Sequence, residues 1–222
     1  PTFPIRWGSR GAPINENLIP RSPLPLMIDA ERFLSIEKPI PLEGIVSVKS
    51  RLIGIHPRSK GSGFVECESI VTDETGEVCV RMANGSFRRG VEKLGDIEPF
   101  EGSGDTFSQK ISVPERAPDF TAETQIAKNQ AHIYRLSGDY NSLHIDPEAA
   151  RFGGFKEPIL HGLCTFGHCA QLLLKALCDG SSDRFKAIKL RFSAPVYPGD
   201  QLRLSAWKDG DNRVLFEATV GD

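Results

Sequence analysis

The chain has 222 residues, 39% of them hydrophobic and 25% charged, with a formal net charge of −2. That balance describes a globular protein of one large domain or two modules of roughly 100 residues each, not a disordered chain. It leaves no electrostatic footprint for nucleic acid or a membrane surface; no apolar run nears the ~18 residues that cross a bilayer, and no targeting signal is visible.

Five cysteines without paired spacing suggest reduced thiols in an intracellular compartment. With Pro1 at the start, the chain is expected to be a processed or excised piece of a longer one. In chain order, Lys38 to Gly44 introduces an alternating strand from Ile45 to Ile55. A second runs from Gly63 to Thr72, and a third, Glu77 to Phe87, follows the turn at Asp73–Gly76. Residues 91–118, rich in Gly, Pro and charge, read as a linker between a module at 1–90 and one at 119–222. Gln130 to Leu136 fits a short, mostly buried helix that Gly138 stops at positive φ. Asp146-Pro147-Glu148 reads as an N-cap, a proline at the first helical position and an acid in the first turn, and Gly153-Gly154 ends that helix. Leu163 to Cys178 carries Leu163, Phe166, Ala170, Leu173, Leu174 and Leu177, a stripe wide enough for a buried central helix. Ala194 to Asp200 then introduces strands Gln201 to Lys208 and Arg213 to Val220, a weak echo of the first half. Meandering strands and one buried helix fit an α+β plan in which a curved sheet wraps the helix.

The chemistry concentrates between Tyr134 and Gly167. A carboxylate, an amide and an imidazole (Asp139, Asn141, His144) fall within six residues on a loop between two helices. A carboxylate and an imidazole in a partly dry pocket can each move a proton near neutral pH, and an amide can hold a water between them. Singly, Asp139 is more often a turn cap and His144 a satisfied buried histidine. Gly162 opens the central helix, whose first amides are unpaired and carry the positive end of its dipole. Glycine lets a ligand oxygen approach such an amide, where developing negative charge is stabilised. A plain tight turn is the competing meaning.

Tyr134-Arg135-Leu136-Ser137-Gly138-Asp139-Tyr140-Asn141-Ser142-Leu143-His144 resembles the hydratase-2 motif of the MaoC-like, (R)-specific 2-enoyl-CoA hydratases. Pro158 to Gly167, PILHGLCTFG, resembles that family's second block, with the hydratase portion of peroxisomal multifunctional enzymes nearest in pattern. The resemblance implies a tandem hot-dog fold whose first module shapes the acyl tunnel. It also implies reversible hydration of trans-2-enoyl-CoA to the (3R)-hydroxyacyl product, with Asp139 and His144 as the catalytic pair, Asn141 positioning the water and the Gly162 amide supporting the thioester oxygen. No metal or redox cofactor is needed. The implied partner is an acyl-CoA thioester, the assembly a homodimer or a larger multifunctional chain, and the location the peroxisomal matrix or otherwise the cytoplasm. Ser142 stands where the family usually has proline. Against whole modules of the family, an opening strand and helix before Pro1 and a strand after Asp222 are expected to be missing. Two rival readings are a dehydratase acting on carrier-protein thioesters and a non-catalytic acyl-CoA-binding module.

Weaker signals surround this core. His161, Lys186, Lys189 and Arg191 are read as substrate-binding, the basic cluster taking the phosphates of coenzyme A. Arg88-Arg89 offers a second cluster; for both, a solvated face is the commoner meaning. His161, Cys164 and His168 have a spacing that could face one metal but lack a fourth ligand. Cys164 at a helix N-terminus invites a lowered pKa, which its apolar flank argues against. There is no G-x-S-x-G elbow, P-loop or dinucleotide glycine pattern.

Overall fold

A computed structural model describes residues 22–58, 61–91, 100–101 and 111–221. Four long antiparallel strands form the first half: β1 (Met27–Ile36), β2 (Ser47–Pro57), β3 (Ser62–Thr72) and β4 (Val78–Arg89). A two-residue strand, β5 (Phe100–Glu101), follows. The second half contains β6 (Phe120–Gln125), α1 (Gln130–Arg135), α2 (Pro147–Phe152), α3 (Gly162–Leu177), β7 (Ala187–Arg191), β8 (Gln201–Lys208) and β9 (Val214–Val220). The strands make a six-stranded sheet in the order β5-β2-β3-β4-β1-β7 and a three-stranded sheet in the order β6-β8-β9.

Alternation along β8 explains the core. Leu202, Leu204 and Ala206 point inward, each at 1% exposure or less, and meet Leu163, Phe166, Cys169, Leu172 and Leu173 of α3. From the other sheet Ile188 of β7 and Leu34 of β1 pack on the same helix. The helix is thus enclosed by both sheets, as a 16-residue apolar stripe requires. Leu173, at 7% exposure, belongs to this core as expected.

Several expectations need correction. The residues read as a linker contain β5, which pairs with Gly54 and Ile55 of β2; residues 92–99 and 102–110 of that stretch lie outside the described residues. So do Pro1-Thr2-Phe3-Pro4. The two halves share a sheet: β1 pairs with β7 in the register Glu31↔Arg191, Phe33↔Lys189 and Ser35↔Ala187. α1 forms where the sequence places it but is not mostly buried, since Ala131 is covered while Ile133 and Leu136 are exposed. Strands β1, β6 and β7 were not evident in the pattern. β1 hides itself because Asp29, Glu31 and Arg32 interrupt any alternation, and the register shifts between Asp29 and Glu31.

Candidate active site

Local rules build the loop after α1. Gly138 adopts φ 103°, turning the chain back. Asp139 Oδ1 then accepts the Asn141 N–H at 3.2 Å, and Asn141 Oδ1 accepts the Leu143 N–H at 3.1 Å, capping the single 3-10 turn Ser142–His144. Asn141 Nδ2 donates to the Leu24 carbonyl at 3.3 Å, tying the loop to the first half. Downstream, Asp146 caps α2 by accepting the Glu148 and Ala149 amides, with Pro147 at its first position. Arg89 of β4 reaches across to donate to the Gly153 carbonyl.

His144 leaves this turn buried, at 8% exposure, and its Nδ1–H donates to the Ile159 carbonyl at 2.8 Å. A neutral imidazole has one donor, so this bond leaves Nε2 as the acceptor. Burial pushes the His144 pKa below its usual value, while the Ile159 carbonyl and the charges of Asp139 and Asp29 pull the other way. His161, at 1% exposure, stacks on His144 with ring centroids 3.8 Å apart and lies 4.7 Å from the Tyr134 ring. Its pKa is pushed down to about 3, first by burial and then by the His144 ring. Ligand atoms of Asp139, His144 and His161 lie within 4.8 Å of one another. These three could hold a metal; among the described residues no such cluster contains Cys164 or His168. Burial raises the Cys164 thiol to about 11, making it an inert core thiol and not an activated one.

Gly162 begins α3 beside this cluster. Its backbone shows no positive φ, so the need for glycine here is space. A Cβ would stand 3.1–3.2 Å from the Phe192 ring and 3.5 Å from Asp29 Cβ. The amide of Gly162 lies at the positive end of a 16-residue helix, and a side chain there would crowd the Phe192 ring. One residue on, Leu163 joins Phe166 in lining a small cavity whose opposite wall is Arg32 and Leu34 of β1, Ser69 of β3 and Met82 of β4.

The structure thus gathers Asp139, His144, His161 and Gly162, and separates off the rest. Asn141 adjoins Asp139; each end of its side chain makes one bond within the fold, which leaves the second Nδ2–H and the second Oδ1 lone pair. On β7, Ile188 and Leu190 face the α3 core, so Lys189 and Arg191 project to the other face of the sheet. Arg191 is engaged there by buried Glu31, with Nε donating to Oε1 at 2.7 Å, and Lys186 is exposed ahead of the strand. The three do not converge with the acid/base set. Arg88 and Arg89 are not a solvated face either: the Nε of each is buried. Sequence reasoning missed the bidentate Arg32–Asp29 pair on β1, with Nη2–Oδ1 at 2.5 Å, which stands against Gly162 from over 130 residues away; nothing local signals it.

Comparison with known proteins gives the chain's relatives. Residues 109–221 match the pattern of the MaoC like domain. The peroxisomal multifunctional enzyme type 2 of Mus musculus is 38% identical over 193 residues, covering 87% of this chain and 25% of that protein. The probable enoyl-CoA hydratase 2 of Dictyostelium discoideum is 36% identical over 199 residues, covering 87% and 64% respectively. Among solved structures, the MaoC-like dehydratase of Phytophthora capsici is 38% identical with a TM-score of 0.76, over 88% of this chain and 66% of that one. A Mycobacterium tuberculosis protein described as a double hotdog fold, 14% identical with a TM-score of 0.52, speaks to fold alone; it is matched over 88% of this chain and 70% of its own. The chain spans between a quarter and two thirds of the curated relatives named here.

Proposed function

We propose, starting from the fact that this chain belongs to the MaoC-like family and has its α+β hot-dog fold, that it is a hydro-lyase adding water reversibly to trans-2-enoyl-CoA to give (3R)-3-hydroxyacyl-CoA. The observation that carries the reading is the placing of Asp139 and His144 beside the N-terminal amide of α3. An enoyl thioester needs a donor on its carbonyl oxygen and a base for the attacking water, and this site offers both.

In the reaction, the Gly162 N–H polarises the thioester carbonyl and draws electron density from Cβ. Water held at Asp139 and His144 attacks Cβ as His144 Nε2, freed as an acceptor by the Nδ1–Ile159 bond, takes its proton. Negative charge gathers on the thioester oxygen, where the helix-terminal amide is best placed to stabilise it. A proton then returns from the pair to Cα, and the same groups serve the reverse dehydration. No step calls for a metal or redox cofactor. The small cavity between β1, β3, β4 and α3 starts one residue from Gly162, and its lining by Arg32, Leu34, Ser69 and Met82 supports an acyl site walled in part by the described residues of the first half.

An acyl-CoA thioester is the proposed partner, and the relatives' names support a place in a larger multifunctional chain and in the peroxisome. No helix of the described residues is long and apolar enough to cross a membrane. Turnover of crotonyl-CoA and of a longer enoyl-CoA, with chiral assay of the product, tests the reading; a folded protein inactive on both would remove it.

A further inference from the structure

The cavity beside the start of α3 is not purely apolar. Leu34, Leu163 and Phe166 line it, but so do Arg32, Ser69 and Asn84. The strand register explains why. Arg32 of β1 stands opposite Asn84 of β4, while Leu34 of β1 and Ser69 of β3 flank the next β4 residue on that face. Residues opposite one another or two apart share a face, so all four project from one side of the sheet toward α3.

Two of the polar groups have bonding capacity to spare. Arg32, at 7% exposure, spends Nε and Nη2 on Asp29, at 3.1 Å and at 2.5 and 2.7 Å. Its Nη1 hydrogens take no partner within the fold. The Asn84 side-chain amide makes no hydrogen bond within the fold either. A plain alkyl tail entering here would strip water from both groups and return no hydrogen bond, which is costly for buried polar atoms. A carboxylate fits little better. Asp29 already answers the charge of Arg32, so a second anion would meet like charge where little water can screen it. An uncharged hydroxyl satisfies both groups, accepting from the Arg32 Nη1–H and donating to Asn84 Oδ1. The room suits it too: about 20 Å³, slightly more than one water needs.

We infer that this cavity selects 2-enoyl thioesters whose acyl chain carries a neutral hydroxyl a few carbons beyond Cβ. The inference rests on the hydration reading above and names the substrate class of that site. The helix sets the position of the hydroxyl. Leu163 lies one residue beyond Gly162 and Phe166 just over one turn beyond it, about 6 Å along the axis. Arg32 and Asn84 determine specificity, and no covalent bond forms or breaks at them.

Three six-carbon substrates that differ only at C6 provide the test: 2-hexenoyl-CoA, 6-hydroxy-2-hexenoyl-CoA and the C6 carboxylate, 2-hexenedioyl-CoA. The parent should hydrate the hydroxy substrate with kcat/KM ~10-fold or more above the other two, mostly through KM. Asn84→Leu should bring the hydroxy and methyl substrates within ~3-fold of each other, losing on the first and gaining on the second. If Asn84→Leu does not fold, Asn84→Ala reads the same ratio. A parent that prefers 2-hexenoyl-CoA or the carboxylate overturns the inference, as does a folded Asn84 variant that keeps the parental preference. Crotonyl-CoA, too short to reach the cavity, separates the two failures. A parent that hydrates it without any hydroxyl preference among the longer substrates loses this inference alone, whereas a parent inactive on every enoyl-CoA loses the hydration reading.

Discussion

The Nδ1–H of His144 is held by the Ile159 carbonyl at 2.8 Å, and that single bond leaves Nε2 as the acceptor of the ring. Ile159 lies just ahead of α3, so the segment that aims the base also leads into the amide proposed to receive the thioester oxygen. Base and oxyanion donor are thereby set at one distance by fifteen residues of loop and short helix. Asp139→Asn and His144→Gln should each cut hydration by at least ~10²-fold, the usual scale for a positioned acid or base. Both nearly preserve shape, so Tm should stay close to the parent; a folded variant with parental turnover would take that residue out of the mechanism.

Asn141 separates scaffold from chemistry. Asn141→Ala removes the cap on the Ser142–His144 turn and the tie to Leu24, and should cost about 1 kcal/mol by denaturant melting. Asn141→Asp keeps an oxygen for the Leu143 amide and should recover part of that stability. A large loss of kcat in Asn141→Asp with unchanged stability would show that the Nδ2–H acts on the water; parental kcat would confine Asn141 to the scaffold.

How much of this the sequence disclosed depends on the range of the forces involved. Gly138 at positive φ, the Asp146–Pro147 start of α2, the extent of α3 and the burial of Leu173 follow from rules that act within a few residues, and each was readable. The Asp139–His144 pairing was readable for the same reason. β1 was not: its interior charges are tolerated only because Arg32 meets Asp29 and Glu31 meets Arg191 of β7, 160 positions away. The stacking of His161 on His144 likewise depends on how α3 enters the fold. Gly162 stands out in the sequence as the residue that opens α3, but the space that requires glycine there is set by the Phe192 ring, 30 positions on.

Gly162→Val tests the oxyanion role. The side chain would crowd Phe192 and the approach to the amide, so kcat should fall strongly while affinity for a saturated acyl-CoA, which develops no enolate charge, falls less. Circular dichroism would confirm folding first. Equal losses in both would mean a blocked pocket and withdraw the oxyanion assignment.

The buried histidines make stability depend on pH with a definite sign. His161 titrates near 6.5 when unfolded but about 3 when folded, held down by burial and then by His144. Between those values the unfolded chain binds the extra proton, so stability falls as pH drops below about 6.5, by up to ~1.4 kcal/mol per unit for one such group. His144, also lowered by burial, steepens the same fall. In His161→Phe the slope between pH 6.5 and 4 should flatten; parallel denaturation curves would refute this.

Leu173 tests the core. Leu173→Ala should cost ~2–5 kcal/mol, and Leu173→Asp, which puts a lone carboxylate among Leu163, Phe166 and Leu204, should abolish soluble folded protein. Near-parental melting of either would contradict the enclosure of α3 by two sheets.

The most direct measurement is the stereochemistry and rate of water addition to crotonyl-CoA by the parent beside Asp139→Asn. The predicted result is (3R)-3-hydroxybutyryl-CoA from the parent, with the rate lost in the folded Asp139→Asn protein. A (3S) product, or equal rates from the two proteins, would contradict the assignment of this site as the hydrating centre.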